Sequence, residues 1–378
     1  MMNPVYIRAT GIHTEQYQDL NALNAAFLAP PKQIDLSDVD IYQAANLKLN
    51  QLERQAIARE DRSILNDLAT SILNASGDML SHANKLAGLD NAEATPLYAG
   101  TDGVAEYSFS ALSKLIDRFA DANTAMKNLG ILSGMTNPIN MMRFLSTNPL
   151  YHASKRMGLR GGGYPIRGMS LSGLYAIEDA MSDIAANRAQ QGVVVAAASM
   201  RNFDSLVIFG KLGLLDPQSE AGTVNPSYGS AVLLLDNLTE GDNALAQVLR
   251  VSSRYNAAPF PSEQDWTSLL QDVAVNGITP DVIVTYCNGV KSNDANELAA
   301  IESVFPNTPQ HNYKSLFGYT SKANNALDLV TALSDAAIPT GATVLINGAG
   351  FGVGIGYIVI KKLRHNSLPM NPSTLEAQ

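Results

Sequence analysis

Four segments of this 378-residue chain hold residues whose types and spacing could do chemistry. The first is Gly161-Gly-Gly-Tyr-Pro-Ile-Arg-Gly-Met-Ser-Leu-Ser-Gly173, followed at once by a helical pattern. A strand, a sharp turn and a helix start set Ser170 near an amide-rich helix N-terminus, where an anion or acyl oxyanion is favoured. On these residues alone, Ser170 or Ser172 also reads as an ordinary helix cap. The second segment is Cys287-Asn-Gly-Val-Lys-Ser-Asn-Asp294 and the third is Lys314-Ser-Leu-Phe-Gly-Tyr-Thr320. Both are polar loops at the carboxyl ends of α/β strands, where sites concentrate. Ordinary turns around Gly289 and Gly318 explain them equally well. The fourth, Gly348-Ala-Gly-Phe-Gly-Val-Gly354, lacks a P-loop lysine and its glycine spacing is not the dinucleotide fingerprint. It reads as crowded backbone around Phe351 rather than a phosphate cradle.

The elements that must position these loops show in the hydropathy pattern. Strands are expected at 5–9, 193–197, 231–235, 282–286, 343–346 and 356–360, several of them apolar throughout, as strands covered on both faces must be. Between them, 172–190 sets Leu174, Ile177, Met181 and Ile184 at helical spacing. Asp294 and Glu297 have capping-box spacing before Leu298 and Ile301. Segments 47–75 and 105–130 also read as helical. Alternating strands and helices imply an α/β fold with mostly parallel sheets. A strand ending in small residues and followed by a second strand occurs at 193–198 with 229–236, and again at 344–350 with 354–361. Two related halves joined near 240–250 would explain that echo. The tail after Arg364 reads as loose.

Composition narrows the function classes. The chain is 46% hydrophobic and 16% charged, enough apolar material for a sizeable core and a poor fit to disorder. Its net charge of −9 argues against nucleic acid as a main partner. The single cysteine, Cys287, excludes an internal disulfide and a multi-cysteine metal site, and suits a reducing compartment. The start lacks a signal-peptide pattern, and no run nears the roughly 18 apolar residues of a membrane span. A soluble cytoplasmic protein, without membrane association, is expected.

Taken together the segments resemble the thiolase-fold β-ketoacyl synthases, from about Leu52 to Lys362. Gly158-Leu-Arg-Gly-Gly is similar to the family's GLRGP stretch, and Met169-Ser-Leu-Ser-Gly173 to its active-site segment A-C-S/T-S-G. Asn288-Gly289 falls where the family has HGT, and Asn293-Asp294 matches its later N-D. Lys314-Ser-Leu-Phe-Gly-Tyr matches K-S-x-x-G-H, and Gly350-Phe-Gly352 the C-terminal GFG. The resemblance implies a thiolase-like α/β fold of two related βαβαβ-type halves in a layered αβαβα arrangement. Residues 1–245 would form the N-terminal half with the dimerisation region, 246–365 the C-terminal half, and 366–378 a loose tail.

The departures point to function. The family's nucleophilic cysteine falls at Ser170 and its two catalytic histidines at Asn288 and Tyr319, leaving Lys314 alone of the catalytic set. A serine needs an adjacent base that neither asparagine nor tyrosine supplies near neutral pH. This resembles the chain length factors, ketosynthase-like subunits that pair with an active partner and shape its acyl tunnel, in type II polyketide or aryl polyene systems. The resemblance implies a heterodimer with an active ketosynthase and an acyl carrier protein docking mainly on that partner. A local basic stretch at Lys361, Lys362 and Arg364 would be the exception. Met169 and Phe351 would line the tunnel, and Tyr164, Ile166 and Met169 would form the interface, carried by an edge strand at 164–169. Bulk in the helical region 135–150 would limit chain length. No metal and no cofactor are expected. Two rivals stay open: acyl transfer or hydrolysis through Ser170, and a homodimeric acyl-binding protein without catalysis.

Overall fold

The computed structural model describes residues 3–28, 47–86, 89, 91–101, 142–143, 145–237, 243–256, 258–350 and 353–366. The expected helix at 105–130, Phe351, residues 135–141 and 144 of the region 135–150, and all but the first residue of the tail at 366–378 lie outside the described residues.

Ten strands join in one sheet. They are β1 (Val5–Thr14), β2 (Leu97–Gly100), β3 (Gly163–Pro165), β4 (Gln191–Ser199), β5 (Tyr228–Asp236), β6 (Ala246–Arg254), β7 (Val282–Val284), β8 (Gln310–His311), β9 (Thr343–Gly350) and β10 (Gly354–Lys362). Their order across the sheet is β3-β2-β4-β5-β1-β6-β10-β9-β7-β8. Read outward from the β1–β6 junction, the first five strands and the last five follow the same order. The chain is therefore two related halves. All six strands expected from hydropathy are present. The expectation of mostly parallel sheets is corrected. β2 runs parallel to β3 and β4, and β7 parallel to β8 and β9, but β5, β1, β6 and β10 pair antiparallel with their neighbours. An apolar run reports burial on both faces; it does not report strand direction.

Alternation along the strands divides the core into three layers. On the outer face of the N-terminal half, Val193, Val195, Val232 and Leu234 pack against α1 (Asp67–Leu86) and α2 (Asn148–Met157) through Ile72, Met79 and Leu150. Their alternates, Val194, Ala196 and Leu233, face α3 (Ser172–Ala185) and α6 (Asn324–Ser334), which also meet Ile346 and Ile358 of the other half. On the far side, Ile283, Leu345 and Val359 pack on α4 (Glu263–Val275) and α5 (Lys291–Val304) through Trp266, Leu270 and Ile301. This is the αβαβα layering. Every residue of α6 is buried, as a helix sandwiched between two sheet halves requires. At about 1.5–3 kcal/mol per buried Leu, Ile or Val side chain, these three layers hold the loop ends in place.

Candidate functional site

Ser170 lies in a single 3₁₀ turn, Met169–Leu171, immediately before α3. The turn is sharp because Met169 takes φ 49°, a left-handed conformation that a residue with a side chain resists. Ser172 braces it: its Oγ donates to Met169 O at 2.7 Å and accepts from Gly168 N–H at 2.9 Å. Neither serine serves as the N-cap. That position is Leu171, with no side-chain cap bond. Ser170 is thereby left with its side chain turned into the interior, 3% exposed, and Met169 with its own half-exposed.

The second loop follows β7. Helix α5 begins at Lys291, three residues before the Asp294 that a capping box would need outside the helix. That expectation is therefore corrected. Asp294 sits inside the first turn and reaches back, accepting from the amides of Asn288 and Gly289 at 3.0 Å each. Glu297, fully buried, accepts from the amides of Tyr286 (2.8 Å) and Cys287 (2.9 Å) and from Asn347 Nδ2 (2.8 Å). Two carboxylates of one helix thus clamp four consecutive backbone amides of the loop. Burial pushes the Glu297 carboxyl up while these donors pull it down. Gly289 completes the loop with φ +99°, its Cα so close to Thr223 O that a Cβ would clash at 2.0 Å.

The third loop brings Lys314 and Tyr319. Lys314 Nζ donates to Asp328 Oδ2 at 2.6 Å and to Thr285 O at 2.8 Å, and lies 5.7 Å from the centroid of the Tyr286 ring. Its charge is neutralised within the fold, and it ties the end of β7 to α6. Burial pushes the Asp328 carboxyl up, with Lys314 pulling against it.

These loops converge on a chain of hydroxyls. Ser170 Oγ is 2.6 Å from Tyr319 Oη, 149 residues away in sequence. Tyr319 Oη is 3.1 Å from Tyr286 Oη, and Asn288 Nδ2 donates to Tyr286 Oη at 3.4 Å. Ser321 Oγ stands 3.5 Å from Ser170 Oγ. The structure therefore brings Ser170, Asn288 and Tyr319 together, with Lys314 one shell behind. Sequence reasoning missed Tyr286, which links two of them; its signal was a buried tyrosine at the end of an expected strand. The amide nitrogen of Asn288 only donates, so Tyr286 accepts there and is free to donate to Tyr319, and Tyr319 to Ser170. Burial pushes the Tyr286 phenol well above its ordinary value, so it stays protonated. Nothing in this chain of groups takes a proton from Ser170.

The other candidate groups stand apart. Cys287 is buried, and burial beside Glu297 and Asp294 pushes its thiol up, away from thiolate chemistry. His13 bonds to Ser71, Gln18 and Asn74, and His311 to Asp335. Burial holds His13 and His152 down to about 4, hence neutral. Lys362 belongs to no surface patch: it is 0% exposed and donates to the carbonyls of Ala332 and Asp335. Among the described residues no group of three or more His, Cys, Asp or Glu is placed to hold a metal, and no helix is long and apolar enough to cross a membrane.

The expected edge strand is shorter than its sequence suggests. β3 ends at Pro165, where the chain turns toward Met169. Tyr164 is 50% exposed at this edge. Ile166, expected at the interface, is 8% exposed and packs in the central layer, because its amide still follows Ala99 O and turns its side chain inward.

No protein-family model and no curated protein matches the chain by sequence. Its fold matches solved structures along almost its whole length. One is the ishigamide ketosynthase/chain length factor, at TM-score 0.75 and 15% identity, covering 96% of this chain and 100% of that one. A β-ketoacyl synthase from Burkholderia phymatum STM815 matches at TM-score 0.74 and 14% identity, covering 96% and 100%. A ketosynthase in complex with its chain length factor from Xenorhabdus doucetiae matches at TM-score 0.71 and 15% identity, covering 95% and 98%. The paired half-sheets, the two buried central helices and the loops that meet at Ser170 are thus the thiolase-like fold of the β-ketoacyl synthases.

Proposed function

We propose that this chain is a non-catalytic ketosynthase-like subunit of the chain-length-factor type, which pairs with an active β-ketoacyl synthase and shapes the tunnel of the growing acyl chain. One observation carries the reading: at the position equivalent to the nucleophile, Ser170 ends a chain of phenols and an amide that supplies hydrogen bonds and no base. Decarboxylative condensation needs a nucleophile that can be deprotonated and donors poised for an enolate. Here the hydroxyls satisfy one another, and Lys314 is held by Asp328. Neighbouring folds that occur as ketosynthase and chain length factor together support the pairing. Met169, with its half-exposed side chain beside the site, is assigned to the tunnel, and Tyr164 and Met169 to the interface. The halves divide at 245/246, where β6 opens the second set of strands. An acyl carrier protein docks mainly on the partner, since carriers are typically acidic and this chain carries −9. A reducing, cytoplasmic setting suits the lone buried Cys287.

The test is co-expression with a ketosynthase that retains cysteine and both histidines, isolation of the complex, and assay of malonyl condensation. The expected result is activity from the complex and none from this chain alone. Covalent labelling of Ser170 by an acyl donor would instead favour an acyltransferase or hydrolase. A stable lone chain that binds acyl groups and no ketosynthase would favour the acyl-binding reading.

A further inference from the structure

The hydroxyl chain at Ser170 has bulk as well as polarity. The Tyr319 ring meets two others edge to face. Its centroid is 6.3 Å from that of Phe209, at 65°, and 6.4 Å from that of Tyr286, at 86°, within the range such pairs prefer. Its backbone is gripped on both sides: Tyr319 N–H donates to Asn225 O at 2.7 Å, and Ser227 N–H donates to Tyr319 O at 3.0 Å. Gly318, just before it, has φ +79° and lies so close to Ser227 that an added Cβ would stand 2.6 Å from the Ser227 Cβ. The loop therefore cannot carry the ring away without breaking backbone bonds. Phe209 is half-buried on the helix Phe203–Lys211, whose Ile208 and Lys211 are exposed. Tyr319 thus stands between Ser170 and a surface helix.

We propose that Tyr319 shuts this chain's own acyl site: its ring fills the ground in front of Ser170 that a thioester would need, and so excludes acyl groups by shape, independently of the missing base. The inference deepens, and rests on, the reading of this chain as a non-catalytic ketosynthase-like subunit. An acyl carbonyl carbon must come within about 3–3.5 Å of the attacking oxygen, along a clear line of approach. The Tyr319 hydroxyl already stands 2.6 Å from Ser170 Oγ, and Ser321 Oγ stands 3.5 Å from it. A carbonyl entering there would have to push the ring off Phe209 and Tyr286 and part the two phenol hydroxyls, which lie 3.1 Å from each other. A close-packed interior resists such an insertion. The obstruction lies at the reacting carbonyl, not along the acyl chain, so short and long thioesters are excluded alike. Bulk is the operative property: phenylalanine at this position would obstruct as tyrosine does, and alanine would not.

The experiment uses the full chain with Ser170→Cys, which places a thiol at the site, and follows its alkylation by iodoacetamide. Peptide mass spectrometry scores that thiol separately from the buried native Cys287. Three backgrounds are compared: Tyr319 intact, Tyr319→Phe, which keeps the ring and removes the hydroxyl, and Tyr319→Ala, which removes both. Tyr319→Leu stands in should alanine unfold the chain, and thermal melts establish that each variant is folded. The expected result is equally slow labelling with tyrosine and phenylalanine, and labelling about tenfold faster or more once the ring is gone, because a buried thiol otherwise reacts only through rare openings of the fold. Three results would overturn the inference. One is labelling with Tyr319 intact as fast as in the urea-unfolded chain. Another is no acceleration on truncation. The third is Tyr319→Phe labelling as fast as the truncated variant, which would assign the protection to the hydroxyl. Failure to assemble with any ketosynthase would remove the functional reading and leave these rates standing, whereas equal rates in all backgrounds would remove the role of Tyr319 and leave the assembly standing.

Discussion

Replacing Lys314 by methionine keeps the aliphatic stem and removes the ammonium group. In the wild-type fold that group is 7% exposed and bonds to Asp328 Oδ2 and Thr285 O. Asp328 is 0% exposed, and its other oxygen has no partner among the described residues. The variant therefore strands a buried carboxylate and a strand-end carbonyl together. Removing one member of a buried pair costs about 3–5 kcal/mol, because the remaining charge is uncompensated. Part of this is escaped by protonation, since burial already pushes the Asp328 carboxyl up, so the deficit should lie near the lower bound at neutral pH. A carboxylate with a raised folded-state pKa binds its proton more tightly when folded, and loses stability as pH rises through the ordinary carboxylate value. The deficit of Lys314→Met should accordingly shrink as pH is lowered toward 4. Urea unfolding at pH 5 and pH 8, with linear extrapolation, measures this. The double variant Lys314→Met with Asp328→Leu should recover most of the loss, because it removes both charges. A cost under about 1 kcal/mol, or a double variant as poor as the sum of the singles, would refute the view of Lys314 as a structural clamp.

Three further outcomes follow from the same geometry. Ser170→Cys should not confer condensation activity, because Tyr319 and Tyr286 offer its thiol hydrogen bonds but no base; ketoacyl formation by that variant, measured with a radiolabelled malonyl donor, would contradict this. Ile166→Asp should unfold the chain rather than merely separate subunits, because Ile166 lies in the central layer; a burial loss plus an unpaired carboxylate exceeds about 3 kcal/mol, and circular dichroism should show the fold lost. Asp78 accepts from the amides of Ile12 and Leu20, and burial pushes it up to about 7. Its contribution to stability therefore falls as pH rises from about 4 to 7. Asp78→Asn, which keeps an acceptor oxygen, should gain on the wild type across that window in pH-dependent melts, and a constant difference would count against the shift.

Six strands were legible because their runs are largely apolar, several of them throughout, and bounded by turns. Those that escaped are short or mixed: β2 is only four residues long, though apolar and buried. β6 alternates half-buried polar residues such as Gln247, Arg250 and Ser252, and β8 is two residues long. Direction was not legible, since Val193, Leu233 and Leu345 look alike whether their neighbour runs parallel or antiparallel. Asp294 and Glu297 were misread because capping-box spacing does not say where a helix begins. Once α5 starts at Lys291, the same two carboxylates turn back to hold the loop. Ser170, Asn288 and Tyr319 were legible as a set only through resemblance to a family, since no periodicity joins residues so distant. Tyr286 fell outside every quoted motif, and its role appears only when its hydroxyl is seen between two others.

On the proposed reading, chemistry is lost without loss of fold because of where these residues stand. Ser170, Asn288 and Tyr319 stand at the ends of elements, on turns shaped by neighbours: Ser172 under Met169, Asp294 and Glu297 under residues 286–289, Lys314 under Thr285. Those supports bond to backbone, so they hold the loops whatever side chain the loops present. A substitution at the three tips changes only what the loops present to one another. An unpartnered polar group there would cost about 1–3 kcal/mol, and the residues found avoid that cost by bonding to one another, Ser170 to Tyr319, Tyr319 to Tyr286, Tyr286 to Asn288. A network that satisfies itself leaves no donor waiting for a substrate, whereas a site poised for catalysis keeps such groups ready for the reacting atoms. The same arrangement suits the subunit proposed above, in which these loops keep their shape while the reaction proceeds on a partner.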